Sequence, residues 1–427
     1  MRMRIGGARV VDPANGVNAI ADVYIADGRV QSVGRAPDGF NAERELDASG
    51  QILMPGIVDL RARLREPGEE HKATIVSETK AAVRGGITTL CCPPDTDPVI
   101  DTPAVAELIH QRASASDLAR VEVLGALTRD LDGQNLAEMG ALKEAGCLGM
   151  SNALQPIIDT EVMLRAMEYA ATFALPVFVH AEDAWLTKGR LVHDGAVGTR
   201  LGLAGIPEIA ETIGVARELL LVERTGTRVH FCHLSTGPAV DMVRDAQSHA
   251  LPVSADVAVH QLLLTQEDVG AFDSDCHVRP PLRSLDDRAR LRAGVRAGVL
   301  GSICSDHQPH ELDAKLNPFP ETEAGISSLD SLLALVLGMV DDGELTLPQA
   351  VAALTSGPSA ALGIDRGTLS AGAIADVCLF EPNHQWLLDD ASMLSRGHNT
   401  PFKGRTLKGR VRLTLVDGRV VFESPPA

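Results

Sequence analysis

Three side chains draw attention for what they could do together: His180 in PVFVHAED, His233 in VHFCHLST and Asp306 in SICSDHQPH. Each closes a short apolar run, and two imidazoles with one carboxylate can bind a single Zn2+ while leaving a fourth position open for water. Two arginines, Arg61 and Arg63 in PGIVDLRARLREPG, oppose that reading if they share the same place. A guanidinium has only donors, stays protonated at any ordinary pH and repels a divalent cation. One of them, Arg63 or Arg61, could instead enter the position of a metal and pair with Asp306 through a bidentate contact. The plainer alternative leaves the two histidines and the aspartate hydrogen-bonded to protein groups or water, as most buried polar side chains are.

Bringing these residues together requires strands that end at one place. Eight apolar, strand-like runs (GIVDL, ITTLCC, VEVLGAL, LGMSNA, PVFVHAE, VHFCHLS, PVSADV and GSICSDH) alternate with helical stretches such as SETKAAVRGG and TPAVAELIHQRASAS. That alternation predicts an α/β chain with a (β/α)8 TIM-type barrel, whose chemistry sits at the C-terminal ends of its strands. The chain ends have a different pattern: RIGGARVVD, DVYIADGRVQSVG and, near the other terminus, VRLTLVDGRVVFES alternate apolar residues around Asp-Gly turn signals. Both ends together predict one small β-sandwich domain. The expected division is residues 1–54 for its first part, 55–365 for the barrel and 366–427 for its second part.

Composition narrows the function classes. A length of 427 residues suits a barrel of about 250 residues plus an appended module. The formal net charge of -18 disfavours nucleic acid and acidic membrane surfaces, whose recognition needs clustered Lys and Arg. No apolar run approaches the roughly 20 residues of a membrane helix, and the start shows no signal-peptide pattern, so a cytoplasmic location is expected. The 7 cysteines have no CxxC spacing and lie mostly in apolar runs, which predicts reduced, buried thiols.

The segment from Pro55 to Gly68 resembles the PG-[FIL]-[IV]-D-x-H-x-H-L-R-E-P-G segment of dihydroorotases, in the amidohydrolase superfamily. GGITTLCCPPDTDPVID and RPPLR resemble further segments of that family, and the likeness runs through nearly the whole chain. It implies that Arg61 and Arg63 stand where two zinc-binding histidines are expected. The family's metal-bridging carboxylated Lys or Asp falls in the segment Gly149–Ala153, where Asn152 is the nearest polar group. His180, His233 and Asp306 match the remaining ligands, and Asp306 would be the general base in an active site. Arg65 and His310 match anchors for the substrate's carboxylate and ring, which implies an anionic, dihydroorotate-like ligand. Asp95 and Arg279 replace two asparagines, one of them a substrate contact. His260 and His277 stand at strand ends near the expected mouth.

Within that family, LGLAGIPEIAET, LCCPPDTDPV and HQPHELDAKLNPF are similar to dihydroorotase-like chains that accompany aspartate carbamoyltransferase in many bacteria. Those chains are degenerate at the metal site and act as structural partners in pyrimidine biosynthesis. The resemblance therefore implies a non-catalytic partner of aspartate carbamoyltransferase, itself a homo-oligomer built on a dimer. The surviving residues also leave open a mononuclear zinc enzyme acting on dihydroorotate or another cyclic amide. Either one zinc ion or none is compatible with them.

Overall fold

The structure, a computed structural model, describes residues 2–424, so the outermost positions of the two expected β segments lie outside the described residues. The chain opens with five strands: β1 (Met3–Asp12), β2 (Val17–Ala26), β3 (Arg29–Val33), β4 (Arg44–Asp47) and β5 (Ile52–Pro55). It closes with β16 (Val377–Leu387), β17 (Thr406–Val416) and β18 (Arg419–Glu423). These hydrogen-bond in the order β18-β17-β16-β5-β1-β2-β3, with β4 beside β1. The two layers of the expected sandwich are thus parts of one continuous sheet. That sheet curls over its own core of Met3, Ile5, Val10, Val23, Leu53, Leu379, Leu413 and Leu415. Its two Asp-Gly turns meet, because an added Cβ on Gly418 would lie 2.8 Å from the Gly28 Cα. At that contact both glycines have φ near +70°, a conformation that costs a side-chain-bearing residue energy.

Between these ends lies the barrel. Its strands are β6 (Ile57–Asp59), β7 (Ile87–Cys92), β8 (Arg120–Ala126), β9 (Gly149–Ser151), β10 (Val177–Val179), β13 (Val229–Phe231), β14 (Val253–Ala258) and β15 (Ser302–Cys304). A small two-stranded pair, β11 (Val192–His193) with β12 (Gly205–Ile206), decorates the segment after β10. The eight barrel strands run parallel in the order β6 to β15, each fully buried or nearly so. Parallel strands covered on both faces become continuous apolar runs, which is why the sequence announced them. Val58, Cys91, Leu124, Phe178, Cys232, Ala258 and Cys304 form one cluster drawn from around the ring and fill its interior. All seven cysteines are buried and free.

Closure occurs just past the ends of β6 and β15. Ala62 and His307 form a parallel bridge, with Arg63 N–H donating to the His307 carbonyl at 2.9 Å and His307 N–H to the Arg61 carbonyl at 3.2 Å. Asp59 accepts the Ser305 N–H at 2.8 Å and the Ser305 hydroxyl. This stitching sets Arg61 and Arg63 directly beside Asp306.

Candidate functional site

Four residues at the barrel mouth hold left-handed backbone without being glycine: Arg65 (φ 63°), Ala153 (φ 50°), His233 (φ 40°) and Asp306 (φ 44°). Such conformations cost about 1–3 kcal/mol each and persist where surrounding contacts over-determine them. For His233 the restraint is visible: its N–H donates to Asp256 Oδ1 at 2.6 Å, and Asp256 is fixed from its other oxygen by His230 Nε2 at 2.8 Å. Glu211 secures the next turn by accepting the N–H and hydroxyl groups of Ser235 and Thr236 at 2.5–3.1 Å.

The side chains so placed form an alternating chain of charge. Arg61 brings Nε to 3.1 Å from Asp306 Oδ1, and Arg63 Nη1 lies 3.8 Å from the same oxygen. Neither contact is the bidentate pairing anticipated for Asp306. The fork of Arg63 turns instead to Asp95, with Nε at 2.8 Å and Nη2 at 2.7 Å from one carboxylate oxygen. Beyond Asp306, His233 Nδ1 stands 3.4 Å from Oδ2, His180 Nδ1 lies 2.9 Å from His233 Nε2, and His180 Nε2 lies 2.5 Å from Glu182 Oε2. Arg279 then clasps Glu182 with Nε at 3.1 Å and Nη2 at 2.8 Å.

Proton counting explains the lengths. Burial pushes both imidazoles toward the neutral form, and the Arg61 charge pushes His233 further, to about 3. Two neutral imidazoles carry two protons for three gaps. The two short gaps, His180 to Glu182 and His180 to His233, take them, and the 3.4 Å gap to Asp306 is the one left without. Burial favours the neutral acid at Asp306, but the Arg61 and Arg63 guanidinium groups beside it hold the carboxyl well below its ordinary range. Glu182 is held low in the same way, by His180 and Arg279 against burial. Arg61 stays firmly charged because Asp306 overcomes the burial penalty.

The remaining expected site residues, His260 excepted, also have protein partners. Arg65 donates to Glu69 at 2.8 Å and meets His310 Nε2 at 3.0 Å, so the two anchors implied by the resemblance face each other. Asn152 accepts the Thr128 hydroxyl at 2.9 Å and donates to the carbonyls of Leu131 and Gln155. His277 contacts the Thr322 hydroxyl at 2.9 Å. His260 is buried with neither ring nitrogen hydrogen-bonded to protein, and Arg61 Nε and Nη2 and Arg63 Nη1 and Nη2 likewise make no hydrogen bond, so their contacts to Asp306 and Asp95 are ion pairs.

These donors fit a divalent cation poorly. The imidazole nitrogens of His180 face Glu182 and His233 rather than a shared point, and a guanidinium lies against the carboxylate that would bind the ion. Among the described residues, the His/Cys/Asp/Glu group whose donor atoms come within 4.8 Å of one another is His230, Cys232 and Asp256. It lies deeper in the barrel, where Asp256 already accepts from His230 and His233.

Sequence reasoning missed Glu182, although it stands two residues after His180. It also missed the fully buried pair of Glu78 and His307, 2.8 Å apart, which ties the first barrel helix to the closure bridge. A buried acid near a histidine run was the available signal. Its partner lies 229 residues away in sequence.

The fold and this site define an amidohydrolase-type barrel. Residues 50–238 match the family model described as dihydro-orotase-like, and residues 249–422 match one for the amidohydrolase family. A dihydroorotase-like protein of Pseudomonas putida is 50% identical over 420 residues, covering 98% of this chain and 99% of that protein. A dihydroorotase of Anaeromyxobacter sp. (strain K) is 44% identical over 425 residues, covering 99% and 98%. The L-hydantoinase of Arthrobacter aurescens superimposes with a TM-score of 0.88 at 23% identity, over 99% of this chain and 96% of that one, a likeness of fold. This chain belongs to the dihydroorotase-like family of amidohydrolases. Among the described residues, no helix is long and apolar enough to cross a membrane.

Proposed function

We propose that this protein is a catalytically degenerate dihydroorotase-like chain that serves pyrimidine biosynthesis as a structural partner of aspartate carbamoyltransferase. The observation that carries the first half is the Arg61 guanidinium 3.1 Å from Asp306. Hydrolysis of a cyclic amide needs a polarised water and a base of suitable strength. A carboxylate held low by Arg61 and Arg63 is a weak base, and cationic side chains flank the place where a cation would have to sit. The second half rests on the resemblance to chains that accompany aspartate carbamoyltransferase.

A single experiment separates this from a mononuclear zinc amidohydrolase, the reading favoured by the convergence of His180, His233 and Asp306 in one contact chain. Protein purified without chelator is analysed for metal and assayed for dihydroorotate hydrolysis with added Zn2+. The proposal expects substoichiometric metal and no turnover; one bound zinc with turnover establishes the enzyme. Mixing with purified aspartate carbamoyltransferase should give a stable complex. Carbamoyltransferase that assembles and works equally well alone removes the partnership.

A further inference from the structure

A cleft of about 360 Å3 opens between residues 310–316 and the chain that links β16 to β17, a size that suits a small metabolite. The described residues that line it include no member of the alternating chain of charge from Arg63 to Arg279. His310, 3% exposed, is fixed at this cleft through its N–H, which donates to Asn399 Oδ1 at 2.8 Å. Asn399 donates in turn to the Gln308 and Gly325 carbonyls at 3.0 Å. His310 Nε2 lies 3.0 Å from both Arg65 and the Ala324 carbonyl, so Nδ1 is the nitrogen left without a partner in either tautomer.

The charges around the cleft are matched in number but not in place. Lys403 pairs with Asp390 at 2.7 Å. Among the described residues, Lys315, Arg396 and Asp275 have no oppositely charged side chain in contact, and Glu311 reaches only the exposed His71, at 4.0 Å. Lys315, 8% exposed, donates to the Ser274 and Glu323 carbonyls at 3.0 and 2.6 Å, which leaves its third N–H over. Arg396 donates to the Glu70 and His71 carbonyls at 2.9 and 3.3 Å. Carbonyls satisfy hydrogen bonds but do not neutralise a charge. Burial accordingly pushes Lys315 down to about 8 and Asp275 above its ordinary range, and Glu311 Oε2 is buried without a hydrogen bond. Equal numbers of lysine or arginine and acid disfavour a bare anion or a bare cation. A molecule that carries both charges a short distance apart meets the unmatched groups of both signs. Leu312 and Leu316, 75% and 68% exposed, line the same cleft and offer such a molecule an apolar surface. We propose that this cleft binds a free α-amino acid with an aliphatic side chain, its carboxylate drawn to Lys315 and Arg396, its ammonium to Asp275 and Glu311, and its side chain against the two leucines. The site is separate from the barrel mouth and stands whether or not the mouth is catalytic.

Calorimetric titration of the full chain with L-leucine tests this. A Kd of about 1 mM or tighter is expected. N-acetyl-L-leucine lacks the ammonium and L-leucinamide the carboxylate, and each should bind at least about tenfold more weakly. Glycine, without the side chain, should also bind more weakly. Lys315→Met and Asp275→Asn should each weaken leucine by at least about tenfold with an unchanged circular dichroism spectrum, and Leu316→Ser should weaken it less. Lys315 also holds two carbonyls, so if its variant misfolds the other two decide the matter, Leu316 being an exposed position. No binding of leucine up to about 20 mM, blocked derivatives that bind as tightly as the free amino acid, or an affinity unchanged by both Asp275→Asn and Leu316→Ser would each overturn the proposal.

Discussion

Replacing Arg61 by methionine isolates the charge that holds the barrel mouth together. Methionine keeps the apolar stem and loses all five donors. Asp306, 1% exposed, would retain only the Arg63 Nη1 at 3.8 Å as a cation. At an effective dielectric of about 20, unit charges 3.1 Å apart attract by about 5 kcal/mol and those 3.8 Å apart by about 4 kcal/mol. Breaking a buried pair costs about 3–5 kcal/mol, and the residual Arg63 field places this loss near 3 kcal/mol. The unfolding entropy of 427 residues is about 0.9 kcal/mol/K, so the melting temperature should fall by about 3–4 °C. Asp306→Asn should cost a similar amount by stranding Arg61, and the double variant should cost less than the two singles together by at least about 1.5 kcal/mol. Scanning calorimetry at pH 7, with and without EDTA, reads all four corners of the cycle. Additive losses, or a wild-type melting temperature that falls with EDTA while Arg61→Met does not change it, would refute the idea that a guanidinium stabilises this carboxylate.

Three further outcomes follow from buried groups elsewhere. His260 and His277 are pushed down to about 4, both chiefly by burial and His277 further by Lys315, whereas an unfolded histidine titrates near 6.5. The unfolded chain therefore takes up these protons first as pH falls. Stability should be intact above about pH 6.5 and drop between about 6.5 and 4, by up to about 3 kcal/mol per histidine; urea midpoints that stay flat across that window contradict it. Arg120 joins the barrel to the β-domain, donating to both oxygens of Asp376 at 2.5 and 3.0 Å and to Asp417 at 2.5 Å. Arg120→Ala should cost about 2 kcal/mol, softened by Arg366 at 3.3 Å from Asp376, and should speed hydrogen exchange in β17 and β18; unchanged exchange there is evidence against a clamp. Glu211→Ala should cost about 2–4 kcal/mol and deprotect residues 233–237, because Ser235 and Thr236 lose every hydrogen bond that Glu211 provides; intact protection in that turn shows that other contacts hold it.

The barrel was legible because burial on both faces imposes long apolar runs, and each of the eight runs overlaps its strand, from GIVDL for β6 to GSICSDH for β15. The terminal sheet was legible through Asp27-Gly28 and Asp417-Gly418, whose left-handed backbone marks the turns. That its halves form one continuous sheet was not, because β1 pairs with β2 along its whole length while β4 and β5 pair with different parts of it. At the mouth, residue types could suggest that an arginine meets Asp306. They could not assign the fork of Arg63 to Asp95 or that of Arg279 to Glu182, since those choices depend on side-chain reach between groups 32 and 97 residues apart.

The strained backbone at His233 and Asp306 shows what the charge network does for the fold. Left-handed φ at a strand end aims these side chains inward and costs energy that local contacts must offset. In a dihydroorotase pattern, metal ions tie such side chains across the mouth. Here the tie is made of protein groups: Arg61 and Arg63 follow β6, Asp95 follows β7, His180 and Glu182 follow β10, His233 follows β13 and Asp306 follows β15. Three cations, Arg61, Arg63 and Arg279, meet three anions, Asp95, Asp306 and Glu182, with neutral imidazoles between. A balanced set can stay ionised under burial, whereas removing any one member leaves a charge unpaired. Restoring a metal site would therefore require changing several of these residues together. A single Arg61→His exchange leaves Arg63 against Asp95 and Asp306, and should bind zinc no better than wild type in equilibrium dialysis.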